Sequence, residues 1–265
     1  MRRIAALVLV LVTLLLLLAT YLAPHPYATQ YRDTPNAAAS RQFPLGTDAL
    51  GRDRFSRMLY GGRISLLCAP AAALVSSLLA LSIALLAGCL GRRAERLAGV
   101  AADVCLSLPW LFALLAVRAV LPLNAAPSVG ALLTFGLLGL LGWAGPARVI
   151  LAAVKRHLGS DFILFARASG CSGWRVATAH VLPNLWPLAC AQFLVTVPAF
   201  LLAEANLGLL GLGIPEPIPS LGGLLRELEN LSGAVAHPWM FVPALLLFTV
   251  VSSFHLLVSA DKYSI

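Results

Sequence analysis

Six stretches of this 265-residue chain are apolar over about the length a lipid bilayer demands, at about Ile4–Ala23, Ile64–Leu90, Leu97–Leu121, Val129–Ile150, Leu185–Ala203 and Trp239–Ser259. A hydrocarbon core about 30 Å thick takes about twenty residues of helix. Inside it every backbone N–H and C=O must be satisfied, and an isolated apolar run meets that demand only as an α-helix. The sequence therefore predicts an all-α polytopic membrane protein with six transmembrane helices. Composition points the same way: 60% of residues are hydrophobic and 11% charged, the mean hydropathy is +0.88, and soluble domains carry about a quarter charged residues. Pro109, Pro146, Pro187 and Pro198 predict kinks or breaks that neighbouring helices must accommodate. The first run follows Met1-Arg2-Arg3 and is read as a transmembrane helix rather than a signal peptide. Its apolar core exceeds the usual length, and Thr20 to Pro24 makes a poor cleavage site.

Six spans put both termini on one side of the membrane, and charge selects the side. Arg2, Arg3, Arg92, Arg93, Arg96, Arg148, Lys155, Arg156, Arg167, Arg175 and Lys262 fall on one face, with only Glu95, Asp161 and Asp261 as acids. The other face balances Arg32, Arg41, Arg52, Arg54, Arg57, Arg63, Arg118 and Arg226 against Asp33, Asp48, Asp53, Glu216, Glu227 and Glu229. Lys and Arg accumulate in short cytoplasmic loops, so the first face is expected in the cytoplasm, together with both termini. The formal charge of +8 thus reports orientation. No basic helix or aromatic-basic surface accompanies it, and no nucleic-acid partner is expected.

Several chemistries are excluded by what is missing. A nucleotide-binding P-loop needs Gly-Lys-Ser/Thr, whereas the lysines Lys155 and Lys262 follow Val154 and Asp261. This chain is not an ATPase, and no cofactor of its own is expected. There is no H-E-x-x-H, no G-x-S-x-G and no clustered catalytic set, so an enzyme is not expected. Cys68, Cys89, Cys105, Cys171 and Cys190 show no metal-ligand spacing, and His25, His157, His180, His237 and His255 are scattered. No metal site follows from them.

Two polar segments stand out between the runs. The first, Phe43 to Arg57 leading into Leu59–Ser65, is dense in turn formers and charges. Gly46 and Gly51 permit tight turns, Thr47 and Asp48 can cap a short helix, Arg52 follows at once, and Asp53 can pair with Arg54 or Arg57. It reads either as a built inlet on the outer face or as an ordinary amphipathic interfacial helix. The second runs from Asp161 to Asn184. Ala166, Ala168, Ser169 and Gly170 give a helix a small face on which another protein could press. Gly170 can end that helix with a positive φ, and Asn184 after Pro183 can start the next. It reads as a docking element, the alternative being a plain surface helix between spans.

These segments carry a family resemblance. Arg167-Ala168-Ser169-Gly170 and His180-Val181-Leu182-Pro183-Asn184 resemble the coupling loop of ABC importer permeases, in particular the peptide/nickel branch. Pro44-Leu45-Gly46-Thr47-Asp48, Leu50-Gly51-Arg52-Asp53 and Arg63-Ile64-Ser65 are similar to the outer segment of the same permeases. The resemblance covers roughly residues 40 to 255. It implies a bacterial inner-membrane subunit that forms half of a path for di- or oligopeptides, or a solute such as a nickel complex. Implied partners are a second, non-identical permease, two cytoplasmic ATPase subunits that bind the ATP, an extracytoplasmic solute-binding protein and membrane lipid. Residues 1–62 would supply the first helix and the inlet, and residues 63–265 the permease domain, with its coupling loop at about 155–183 between spans four and five. One departure stands: the family's Glu-Ala-Ala triplet is replaced by Leu164-Phe165-Ala166.

Two acids lie in or near apolar runs, where charge is costly. Asp103 can reach the interface or pair with Arg96 or Arg148. Glu204, in Leu202-Ala203-Glu204-Ala205-Asn206, can line the pathway or make a helix-packing hydrogen bond, and Gly136, Gly139, Gly142 and Gly145 are expected to permit close helix approach. The competing class is an ion-coupled secondary transporter, which would need an inverted repeat and paired intramembrane charges on broken helices. Neither is seen.

Overall fold

A computed structural model describes residues 2–120, 126–229 and 237–259, and these are helical throughout apart from their connections. Lys262 and Asp261 of the charge count lie outside the described residues. The apolar runs become α1 (Arg2–Leu17), α2 (Ala19–Leu22), α3 (Arg54–Leu90), α4 (Arg92–Ser107), α5 (Trp110–Val120), α6 (Pro127–Leu141), α7 (Ala144–Leu158), α10 (Leu182–Leu209) and α12 (Val242–Ser259). Between them stand α8 (Asp161–Ala168), the short α9 (Gly173–Arg175) and α11 (Leu221–Arg226).

Among the described residues, four helical stretches are long and apolar enough to cross a membrane: Arg54–Leu90, Pro127–Leu158 (α6 and α7, with a turn at Gly142-Trp143), Gly173–Leu209 and Pro238–Val258. The other two runs are interrupted. The first breaks at Leu18, between α1 and α2. The third breaks at Leu108, whose extended backbone (φ −77°, ψ 117°) is what a following proline imposes, and Pro109 itself has no N–H to continue the ladder.

The chain divides into two compact units. One comprises Met1–Pro70, Val117–Phe135 and Val197–Ile265. There α1 packs along α12, which also receives α11. The other comprises Ala71–Ala116 and Gly136–Thr196. Its core is built from small residues of facing helices, Ala80, Ala84, Ala102, Ala144 and Ala147, closed by Ile150, Val154, Ile163, Val176, Val181 and Leu185. Small side chains let transmembrane backbones approach closely. A Cβ on Gly88 would stand 2.4 Å from Val154 Cγ1, and one on Gly139 would stand 3.1 Å from the Ala72 carbonyl oxygen. Gly136 and Gly145 do not share this role, because a Cβ at either meets nothing within 4 Å. On the surface of this unit α4 is tied to α7 by Arg148 with Asp103 and Lys155 with Glu95. Arg148, not Arg96, is therefore the partner of Asp103.

Candidate functional site

In the first unit, the segment before α3 folds around two left-handed glycines. Gly46 has φ +67° and Gly51 φ +75°, and a Cβ would lie 2.3 Å from the Ala37 carbonyl oxygen in the one and 2.1 Å from that of Tyr31 in the other. Only glycine fits at both. The Thr47 hydroxyl accepts from Ala37 N at 2.8 Å and donates to the Thr34 carbonyl, pinning the preceding loop. Asp48 closes the turn, its Oδ1 accepting from Leu50 N at 2.9 Å and Arg52 N at 2.8 Å. The expectation that Thr47 and Asp48 cap a helix is thus corrected: that role falls to Asp53, which accepts from Phe55 N and Ser56 N, both at 3.2 Å, at the start of α3. Because its oxygens are turned to these donors, Asp53 pairs with neither Arg54 nor Arg57. Its other neighbour is His25, 3.5 Å away.

The arginines reach far along the chain instead. Arg52 Nε donates to Asp48 at 2.6 Å and its Nη1 to Glu216 at 2.5 Å. Arg57, 2% exposed, donates to the other oxygen of Glu216 at 2.8 Å. Arg54 Nε donates to Glu227 at 2.8 Å. Asp48, Arg52, Asp53, Arg54 and Arg57 are all buried, so these charges are held in the low-dielectric regime where losing one partner strands the other. Burial opposes the Arg52 charge, yet its bonds to Glu216 and Asp48 prevail and raise its pKa. Burial pushes the Glu227 carboxyl upward against the opposing pull of Arg54. Sequence reasoning missed Glu216 and Glu227 as the anchors of this cluster. No local signal could have found them, since they lie more than 150 positions away.

A second node surrounds Glu204, which is fully enclosed. Ser65 Oγ donates to Glu204 Oε2 at 3.1 Å and accepts from Leu221 N at 3.2 Å. Gly222 N donates to both carboxylate oxygens at 3.2 and 3.3 Å, and Gly223 N donates to Ser220 Oγ at 3.1 Å. The first three N–H groups of α11, which have no intrahelical acceptor, are all taken by side chains. Glu204 thus makes helix-packing hydrogen bonds to α3 and α11. The approach is backbone to backbone: a Cβ on Gly208 would stand 2.1 Å from the carbonyl carbon of Gly222, and one on Gly61 3.1 Å from that of Ser220.

In the second unit, α8 buries Ile163 completely while Phe162, Leu164 and Phe165 stay exposed, Phe165 to 75%. Gly170 (φ +83°) terminates it, with Cys171 N reaching back to the Ala166 carbonyl at 3.1 Å, the 6→1 bond of a glycine-ended helix. Ala168 and Ser169 are exposed, and the Arg167 side chain lies outside the described set. The span that follows opens earlier than expected. Ser172 caps it, and helix then runs unbroken to Leu209 through a π turn at Val176–Val181. Pro183 and Asn184 therefore sit inside the helix. The π turn, in which Leu182 N bonds the Ala177 carbonyl, shifts the hydrogen-bond register around the proline. Asn184 Nδ2 donates to the His180 carbonyl at 2.6 Å, and the His180 ring meets Phe162 edge-on at 6.4 Å.

A chain of this kind, helical in its described residues and with four helices among them fit to cross a bilayer, is an integral membrane protein, and its relatives say which. Residues 49–260 match the family described as binding-protein-dependent transport system inner membrane component. The dipeptide transport system permease protein DppC of Bacillus subtilis is 31% identical over 240 residues, covering 89% of this chain and 72% of that protein. The oligopeptide permease OppC of the same organism is 28% identical over 238 residues, covering 89% and 75%. The di/tripeptide permease DppC of Pseudomonas aeruginosa is 31% identical over 220 residues, covering 81% and 71%. The chain belongs to this family: it is a multi-pass inner-membrane permease, a transport subunit without a nucleotide-binding domain.

Proposed function

We propose that the chain forms one half of the membrane path of an ATP-driven importer of di- and oligopeptides. The observation that carries this reading is the 31% identity to a dipeptide permease across 240 residues. A second, non-identical permease supplies the other half, an extracytoplasmic binding protein delivers the solute, and two cytoplasmic ATPase subunits drive the cycle. The α8 segment, with Ala166, Arg167, Ala168, Ser169 and Gly170, docks on an ATPase, and His180, Pro183 and Asn184 carry its displacement into the long helix behind it. Phe165, exposed on α8, meets an apolar groove there. The segment with Gly46, Thr47, Asp48, Gly51, Arg52 and Asp53 forms the outer inlet, and residues 1–62 and 63–265 divide inlet from permease. Glu204 holds the stretch 213–229 as a closure of the path. Reconstitution of the two permeases with both ATPase subunits and the binding protein in proteoliposomes tests the reading. Uptake of labelled tri-alanine should require ATP and the binding protein, and the purified chain alone should neither bind nor hydrolyse ATP. Uptake of a nickel complex in place of peptide would replace the solute assignment.

The membrane orientation belongs to the same proposal: six spans with both termini in the cytoplasm. Support comes from the excess of cations over acids at Arg92, Arg93, Lys155 and Arg156. In a cysteine-free background, a cysteine at Arg41 should react with an impermeant maleimide in intact cells, and one at Arg93 only after permeabilisation. The reverse pattern would invert the topology.

A further inference from the structure

Beside the inlet cluster lies a cavity of about 500 Å³, within the roughly 300–1,000 Å³ typical of small-molecule sites. Arg54, Arg226, Glu227, Glu229 and His237 contribute to its wall, and several of their hydrogen-bonding valences are unspent. Arg54 is 9% exposed, and while its Nε serves Glu227, its Nη1 is enclosed and donates to nothing. His237 Nδ1 is likewise enclosed without a partner. Arg226 stands 3.9 Å from Glu229, too far for a hydrogen bond, with its guanidinium laid over Gly211. A buried cationic donor left without an acceptor is unfavourable, and a guanidinium presents a planar fork that matches a carboxylate. The acids on the same wall disfavour a phosphate dianion but suit an ammonium group. The cavity thus offers donors for an anion and acceptors for a cation.

We propose that this cavity receives the charged termini of a short peptide, its carboxylate on Arg54 Nη1 and Arg226 and its ammonium against Glu229 and Glu227. This rests on the peptide reading above and adds a binding site on the permease itself. Affinity at the site is weak, because a path must release what it receives.

The test uses the full permease–ATPase complex in nanodiscs without the binding protein, titrated with tri-alanine and followed by saturation-transfer NMR. Tri-alanine should bind saturably, and tri-alanine amide at least tenfold more weakly. Arg226→Gln should weaken tri-alanine about tenfold without changing the thermal transition of the complex. Arg54→Gln should abolish binding, but because Arg54 also holds Glu227 the decision falls on Arg226→Gln. No saturable binding, or binding indifferent to both amidation and Arg226→Gln, overturns the proposal. So does a separate titration of the same nanodiscs with the binding protein in which Arg226→Gln loses affinity for it while tri-alanine binding is unchanged, which would make the surface a protein dock. Uptake assays separate the levels: transport of tri-alanine without binding at the cavity overturns this inference alone, whereas absence of both overturns the peptide reading as well.

Discussion

Gly208→Ala is expected to destabilise the folded chain strongly, with its thermal transition lowered by roughly 10 °C. The added methyl would stand 2.1 Å from the Gly222 carbonyl carbon and 2.3 Å from its Cα, and both obstacles are backbone, so no side-chain rotation relieves them. Either α11 leaves α10 or the helix bends. If α11 leaves, the hydrogen bonds of Gly222 to Glu204 and of Leu221 to Ser65 are lost with it, and an enclosed carboxylate is stranded. Overpacking alone costs about 1–3 kcal/mol, and the lost bonds take the total beyond about 3 kcal/mol, which lowers Tm by roughly 10 °C in a chain of this size. Gly136→Ala is the control. Nothing lies within 4 Å of its Cβ, and alanine is the better helix former by about 1 kcal/mol, so Tm should hold or rise. Fluorescence-detected thermal unfolding of the two variants in detergent decides the matter. A Gly208→Ala protein as stable as Gly136→Ala would show that α11 does not seat on α10 as described.

Gly170→Val is expected to do the opposite, leaving the fold and removing transport. A Cβ at Gly170 meets nothing within 4 Å, but the φ of +83° is one a β-branched residue adopts only under strain of about 1–2 kcal/mol. The end of α8 must therefore reshape. Because α8 is anchored by Ile163, the rest of the unit should hold, with a Tm change of no more than about 5 °C. Uptake by the reconstituted complex should fall more than tenfold while the ATPase either dissociates or hydrolyses ATP without transport. A Ser169→Cys variant should crosslink to a cysteine in the ATPase groove with a yield that changes on ATP binding. Normal transport by Gly170→Val, with no crosslink at any groove position, would reduce α8 to a connector.

The two glycines also show where a sequence is readable. Gly170 was legible because its role is local: a helix-ending glycine needs only its own φ and the carbonyl of Ala166, four residues back. Gly46 and Gly51 were legible for the same reason. Gly208 is one of three glycines in Leu207-Gly208-Leu209-Leu210-Gly211-Leu212-Gly213, but the residue it must avoid is Gly222, and nothing in the spacing names that partner. The acids divide the same way. Asp53 at the start of α3 acts on residues two and three ahead, yet sequence reasoning gave the capping to Thr47 and Asp48, because Thr47, Asp48 and Asp53 are all residue types that cap a helix.

By itself the sequence determined what the solvent determines: that apolar runs of bilayer length must be helical, that the chain cannot bind nucleotide through a P-loop, and that the family is a permease. The bilayer acts on each run separately, so those conclusions need no knowledge of neighbours. Only the tertiary structure decided that Arg52 and Arg57 share Glu216, that Glu204 serves the N–H groups of α11, and that a π turn carries the helix through Pro183. The first two depend on which distant groups come within hydrogen-bonding reach, which packing sets and no periodicity in the chain records, and the third on which carbonyl each N–H of the helix meets, a register the residue spacing does not show.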